Sequence, residues 1–321
     1  MRLFLAPMEG VVDYHFRDLL TALGGVDICV TEFVRINQHQ RLPERVFKRI
    51  CPELNHQCQT RAGTPVRVQL LGGQPGSIAF NAAKVARMGA TAIDLNFGCP
   101  AKTVNKSDGG AKLLKEPQRL YDIVKAVRER VPAATPVTAK IRLGYEDRSL
   151  YMDNAMAVYE AGANELVVHA RSKADGYKPP AYWEYIAHIR EALSIPVVAN
   201  GEIWSVDDWR RCKEQSGCED FMLGRGLLAQ PDLANQIRAY VDGNDYTPMT
   251  WHQVAEQLFN YYLGTKSLYP AKYLGNRVKQ WLAYLKLHYP EAEKLFEKIK
   301  RLKRAEDIEA QFQQMGLYSE K

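Results

Sequence analysis

Apolar residues recur along the first three-quarters of the chain in two alternating rhythms. Eight short runs, at 3–8, 27–33, 65–70, 92–96, 136–142, 165–169, 195–200 and 220–224, are dense in aliphatic and β-branched residues. Each is bounded by Gly, Pro or a polar side chain, which predicts strands. Between most of them the apolar positions fall three and four apart, predicting helices over 17–23, 77–88, 117–131, 154–161, 182–193, 205–215 and 231–241. Ser205, followed three residues on by Asp208, reads as the cap of one of these. Strands alternating with helices over roughly 240 residues predict a parallel (β/α)8, or TIM, barrel, whose usual size is about 250 residues. A doubly wound open sheet is the other arrangement such alternation allows.

Beyond residue 247 the strand rhythm stops. Helical spacing runs through 251–262, 274–288, 291–303 and 307–315, interrupted at Leu268-Tyr269-Pro270 and His288-Tyr289-Pro290. The 321 residues thus divide into a barrel, 1–243, and a small C-terminal helical-bundle domain, 244–321.

Charge adds a direction. The formal net charge is +6, and residues 247–321 hold 12 Lys and Arg against 8 Asp and Glu, so +4 of the surplus lies in the last quarter. On 294–304, Leu295, Phe296, Ile299 and Leu302 form one stripe, while Lys294, Lys298, Lys300, Arg301, Lys303 and Arg304 fill the remainder. A helix facing phosphates has that pattern, and so does a solvated lysine-rich face. Lys272, Arg277, Lys279 and Lys286 surround Trp281 and Tyr284. The six cysteines, at 29, 51, 58, 99, 212 and 218, make no CxxC pair or zinc-ribbon spacing, so no metal site is expected. The first residues hold too short an apolar run for a signal peptide, and no run approaches 18 apolar residues, which predicts a cytoplasmic protein with no membrane segment.

The candidate chemistry sits at the strand ends, where the loops of a barrel converge. Asp94-Leu95-Asn96-Phe97-Gly98-Cys99-Pro100 places a thiol, Cys99, on a Gly/Pro-bounded loop just past a strand, a position suited to an acid. Other strand ends carry Glu9, Glu32, Gln69, Asn96, Lys140 with Arg142, and His169. Asn200-Gly201-Glu202 and Gly224-Arg225-Gly226 follow the seventh and eighth strands, where barrels bind phosphate through backbone N–H groups, here with a guanidinium beside them. A phosphate, an amide and a lysine fit FMN: Gln69 along the pyrimidine edge of the ring, Lys140 against its negative charge, and the Ala6-Pro7-Met8 backbone over one edge. A flavin-free, aldolase-type barrel would instead use Lys140 as an imine.

Taken in order, Ala6-Pro7-Met8-Glu9-Gly10-Val11-Val12-Asp13, the Cys99 loop with Lys102, Lys140-Ile141-Arg142-Leu143-Gly144, Val168-His169-Ala170-Arg171, Ala199-Asn200-Gly201-Glu202-Ile203 and Gly224-Arg225-Gly226 resemble the tRNA-dihydrouridine synthases. The resemblance spans the whole chain. Residues 107–114, 197–204 and 279–282 are most similar to the branch that modifies position 16. It implies an FMN-dependent enzyme that reduces the C5=C6 bond of a D-loop uridine in tRNA, with NADPH re-reducing the flavin. It further implies Cys99 as the catalytic acid, with Asn96, Lys102, Glu9, Arg142 and Arg171 near the base. Pro7, Met8, Gln69, Lys140, His169, Asn200, Gly201, Glu202, Gly224 and Arg225 would surround FMN, and Lys272, Arg277, Lys279, Lys298, Arg301 and Arg304 would meet tRNA. The base must leave its stack to enter a barrel mouth, and a monomer suits so large a partner. The chain departs from the family at Glu9, Val12 and Ser172, where Ala, Thr and Thr are more usual. A flavin reductase of a small pyrimidine would need no basic tail, and a non-catalytic RNA-binding protein would not gather Cys99, Lys140 and His169 at one rim. An ordinary thiol, with a pKa of about 8.5, is protonated at neutral pH, so Cys99 is expected to rest as a thiol.

Overall fold

Eight parallel strands close on themselves: β1 Leu3–Leu5, β2 Ile28–Val30, β3 Val66–Leu71, β4 Ile93–Asn96, β5 Val137–Arg142, β6 Glu165–His169, β7 Val197–Asn200 and β8 Asp220–Leu223. The ring is complete because β1 pairs with both β2 and β8, while β2 pairs onward with β3. The open sheet is therefore excluded. A two-residue strand, Val34–Arg35, adds beside Leu70 and Leu71. This computed structural model describes residues 1–317 apart from 267, 269, 271 and 272, so Lys272 lies outside the described residues.

Alternation along each strand sorts the side chains into two environments. Outward positions such as Leu3, Leu5, Val66, Val68, Ile93, Leu95, Ile141, Val168 and Phe221 pack in one core with the surrounding helices. Inward positions form a separate small cluster of Phe4, Ala6, Val30, Val167, Val198 and Met222 that plugs the barrel at mid-height. Below this plug the interior is closed by Glu165 of β6, which pairs with Arg67 and, at 2.8 Å, with Arg2. Above it the same inward parity delivers Gln69, Asn96, Lys140, His169 and Asn200, all at the C-terminal ends of their strands. The site is thus the polar upper layer of an otherwise apolar interior.

Boundaries moved in two instructive ways. β1 and β2 stop at Leu5 and Val30, earlier than expected, and the released residues 6–9 and 31–33 become mouth loops. The helix expected over 291–303 spans only Pro290–Ile299, and the next, Ala305–Gln314, begins after a turn. No Gly or Pro marks this break. A tertiary contact holds the turn, with Lys279 Nζ on the Leu302 carbonyl, while Arg304 pairs locally with Asp307 at 2.6 Å where the next helix starts. The basic stripe 294–304 is consequently not one helical face. Short helices at Glu44–Ile50, Lys102–Lys106 and Arg225–Ala229 are below the length at which periodicity is readable.

Helices Trp251–Thr265 and Leu274–Leu285 lie against the barrel, the first opened by a Thr250–Gln253 capping box. Trp281 is the anchor. It is 1% exposed, donates from Nε1 to the Leu228 carbonyl at 3.0 Å, and meets Phe16 and Tyr261 edge-on at 4.9 and 5.8 Å. Trp281→Ala should cost about 3–5 kcal/mol of stability, read as a lower denaturant midpoint at unchanged slope. Among the described residues no helix is long and apolar enough to cross a membrane, and no group of three His, Cys, Asp or Glu is placed to hold a metal.

Candidate functional site

A cavity of about 720 Å³ opens at the C-terminal mouth of the barrel. Pockets of roughly 300–1,000 Å³ hold cofactors and small ligands. Cys99 lies in its wall on the loop after β4, half-buried, whereas the other five cysteines are buried. The turn that presents it is held from inside: Asn96 Oδ1 accepts from the backbone N–H groups of Gly98 and Cys99 at 3.1 and 2.9 Å. Arg142 Nε donates to the Gly98 carbonyl at 2.9 Å from the other side. Burial pushes the thiol pKa above its usual value, with the nearby Glu9 carboxylate adding to the effect. Cys99 therefore keeps its proton at neutral pH, as a proton donor requires.

From β5 round to β8 the wall changes character. Lys140 Nζ donates to Asn200 Oδ1 at 2.9 Å, and Asn200 Nδ2 donates to the Met222 carbonyl at 2.8 Å. The ammonium has no carboxylate within ion-pair distance among the described residues. Burial and the neighbouring Arg142 lower its pKa to about 7. His169 is held neutral, its pKa pushed well down first by burial and then by the surrounding cations. Gly201 has φ +116, and a Cβ there would come within 2.7 Å of His169 Cδ2, so bare backbone faces the cavity at this point. Gly224 borders open space instead, since a Cβ there would meet only Ala6 Cβ at 3.8 Å. Arg225 stands beside them, its guanidinium 4.9 Å from the Tyr177 ring and 5.0 Å from Trp204, and 3.5 Å from Glu202.

This donor set suits a phosphate-bearing aromatic cofactor that gains negative charge. Lys140 brings a half-buried side chain with a desolvated ammonium that has no carboxylate within ion-pair distance among the described residues, Arg225 and two bare backbone segments gather at one end, and Gln69 offers an amide on the wall between. Pro7 and Met8 line the cavity beside β1, and Glu9 sits at its rim, its carboxyl pushed up to about 7 by burial and by Glu32.

Several expected contacts stand elsewhere. Lys102 is exposed at the start of its short helix and outside the cavity wall. Arg171 is fully buried behind the wall, bound to Glu202 and to the Lys178 carbonyl at 2.7 Å. Arg142 lines the wall, but its Nε donates to the Gly98 carbonyl and its Nη1 to the carbonyls of Ser172 and Gly176. Arg277 pairs with Asp13 at 3.0 Å, and Lys279 reaches Leu302, so both tie the C-terminal helices together or to the barrel. Lys298 and Arg301 are exposed. Tyr177, Trp204 and Tyr284 also line the cavity and were not anticipated as such. Tyr284 comes from helix Leu274–Leu285, three residues beyond Trp281, so the anchor that docks the helix also aims this ring at the mouth.

The family model described as dihydrouridine synthase (Dus) matches residues 4–316. A tRNA-dihydrouridine(16) synthase of Shewanella oneidensis is 53% identical over 308 residues, covering 96% of both chains. The protein of the same name from Pseudomonas putida is 53% identical over 301 residues, covering 94% of this chain and 93% of its own. Among solved structures, 2-naphthoyl-CoA reductase in complex with 2-naphthoyl-CoA superposes with a TM-score of 0.56 at 12% identity, over 76% of this chain and 50% of that one. That similarity is one of fold.

Proposed function

The chain belongs to the dihydrouridine synthase family, and from that membership we propose that it reduces the C5=C6 bond of a tRNA uridine, at position 16 of the D-loop. The observation that carries the reading is the single accessible thiol: Cys99, its pKa raised by burial, stands in the wall of a cavity whose far side gathers Lys140, Arg225 and the bare backbone of Gly201 and Gly224. FMN, when bound, supplies hydride to C6 of the base and is recharged by NADPH.

The remaining chemistry belongs to the chain. C5 of the base acquires the electron pair of the broken double bond and takes the proton of the Cys99 thiol from the face away from the hydride. Asn96 fixes the Cys99 turn so that the sulfur has one place to stand. Lys140, its ammonium oriented by Asn200, would stabilise negative charge on the bound flavin ring. Gly201, Gly224 and Arg225 would hold the phosphate, with Glu202 steadying Arg225. Residues 1–243 form the cofactor and catalytic unit, and residues 244–321 engage the RNA. The uridine is extruded from its stack to reach the cavity, and the protein acts as a cytoplasmic monomer. A yellow purified protein, and mass-spectrometric appearance of dihydrouridine at position 16 when it is given unmodified tRNA and NADPH, test the reading. A colourless protein, or an unmodified position 16, overturns it.

RNA affinity should fall steeply with salt, because each neutralised phosphate releases counter-ions. Reversing charge at Lys298 and Arg301 together should weaken tRNA binding and lower the log–log salt slope by roughly one to two, with flavin retained. Arg304 should matter less, being paired with Asp307 already. Filter binding over a salt series checks both.

A further inference from the structure

Beneath the Cys99 loop runs a chain of hydrogen bonds whose direction is set at both ends. Gly98 N–H and Cys99 N–H can only donate, and both give to Asn96 Oδ1. Asn96 must then present Nδ2 on its other side, and it donates to Gln69 Oε1 at 2.7 Å. Gln69 in turn presents Nε2, which donates to Asp94 Oδ2 at 2.7 Å, while Thr138 Oγ1 donates to Asp94 Oδ1 at 2.6 Å. Asp94, Gln69 and Asn96 are 1%, 0% and 8% exposed, and Asp94 lies outside the cavity lining, so the bottom of the chain is closed to water. The register makes the chain possible, with Gln69 of β3 and Thr138 of β5 directly flanking Asp94 of β4.

An amide can face either way, and only an acceptor-only group at the bottom forbids the wrong orientation. From this geometry we infer that Asp94, which touches neither the cavity wall nor the reacting atoms, is a positioning residue for the acid. Both its oxygens accept, from Gln69 and Thr138, which fixes two amide side chains in series and thereby holds the backbone turn that aims the Cys99 thiol. Were Gln69 to turn over, its Nε2 would confront Asn96 Nδ2, and Asn96 would have to withdraw its oxygen from the Cys99 turn. The inference deepens the activity proposed above and rests on it only for the acid's purpose.

Cys99 is the one cysteine not buried, so alkylation of the native full-length protein by iodoacetamide reads its loop alone, with or without turnover. Asp94→Leu keeps the branched shape and the number of side-chain heavy atoms but removes the acceptor. Asp94→Asn combined with Gln69→Glu moves the carboxylate one step up the chain. In that double variant the amide introduced at position 94 would donate to the carboxylate introduced at position 69. The new carboxylate would still accept from Asn96 Nδ2, and the Cys99 turn would keep its acceptor. The single variant should be alkylated about tenfold faster, with dihydrouridine formation lowered by about the same factor, and the double variant should return to within about twofold of the native alkylation rate. A native alkylation rate in Asp94→Leu, or a double variant alkylated as fast as the single one, overturns the inference. If Asp94→Leu does not fold, the double variant alone decides, a native rate supporting the relay and a raised rate overturning it. Absence of turnover from the native protein would instead indict the proposed activity, leaving the alkylation arm to judge the relay.

Discussion

Cys99→Ala should lower dihydrouridine formation by about a thousandfold, the usual worth of a placed general acid being roughly 10²–10⁴-fold. The protein should stay folded and yellow, because Cys99 is a half-buried loop residue and Gly201, Gly224 and Arg225 lie three to four strands away on the ring. tRNA affinity should also survive. The pH profile supplies a sharper sign: with the protonated thiol as the proposed donor and its pKa raised by burial, native activity should fall only as pH climbs above the ordinary thiol range near 8.5. That limb should vanish in Cys99→Ala. Single-turnover formation of dihydrouridine by flavin-reduced enzyme, followed across pH, tests both statements. A variant within a few-fold of native turnover would remove Cys99 from the chemistry.

Lys140→Met should be the next most damaging change, lowering turnover by about a hundredfold through loss of a preorganised positive charge. Flavin retention should be weakened but not abolished, since Gly201, Gly224 and Arg225 are untouched. The same residue makes a prediction for the flavin-free protein. In the fold the buried amine holds its proton only below about 7, whereas an unfolded lysine holds it up to about 10.4. Between these values the unfolded chain binds more protons, so stability should rise as pH rises from 7 towards 10. Lys140→Met should lose that rise while matching or exceeding native stability at pH 7, where burying the ammonium is costly. Denaturant midpoints at pH 7 and 9 check the sign, and equal slopes for the two proteins would mean that the amine is not desolvated as placed.

Much of this site could be read before any coordinate existed, and the limits of the reading follow from what a linear pattern encodes. Gln69, Asn96, Lys140, His169 and Asn200 were singled out as polar residues at strand ends, and all five share the inward parity of their strands. Arg171 escaped the same test because it lies two residues past His169, beyond the ladder, where alternation no longer says which way a side chain faces. Arg277 and Lys279 looked like RNA contacts because charge is visible in a sequence and partnership is not. Asp13 and the Leu302 carbonyl claim them across 264 and 23 positions of chain.

The barrel, its strand order in the chain, the helical C-terminal region and the position of the Cys99 loop were written in short-range hydrophobic alternation and in Gly and Pro placement, because these act within a few residues of one another. Ring closure through β1 and β8, the break at residue 300, the arrival of Tyr284 at the mouth and the four-residue relay under Cys99 were decided only by folding. Each of those depends on groups far apart in sequence finding one another in a dry interior, where an unpaired donor or acceptor costs about 1–3 kcal/mol and so a single arrangement prevails.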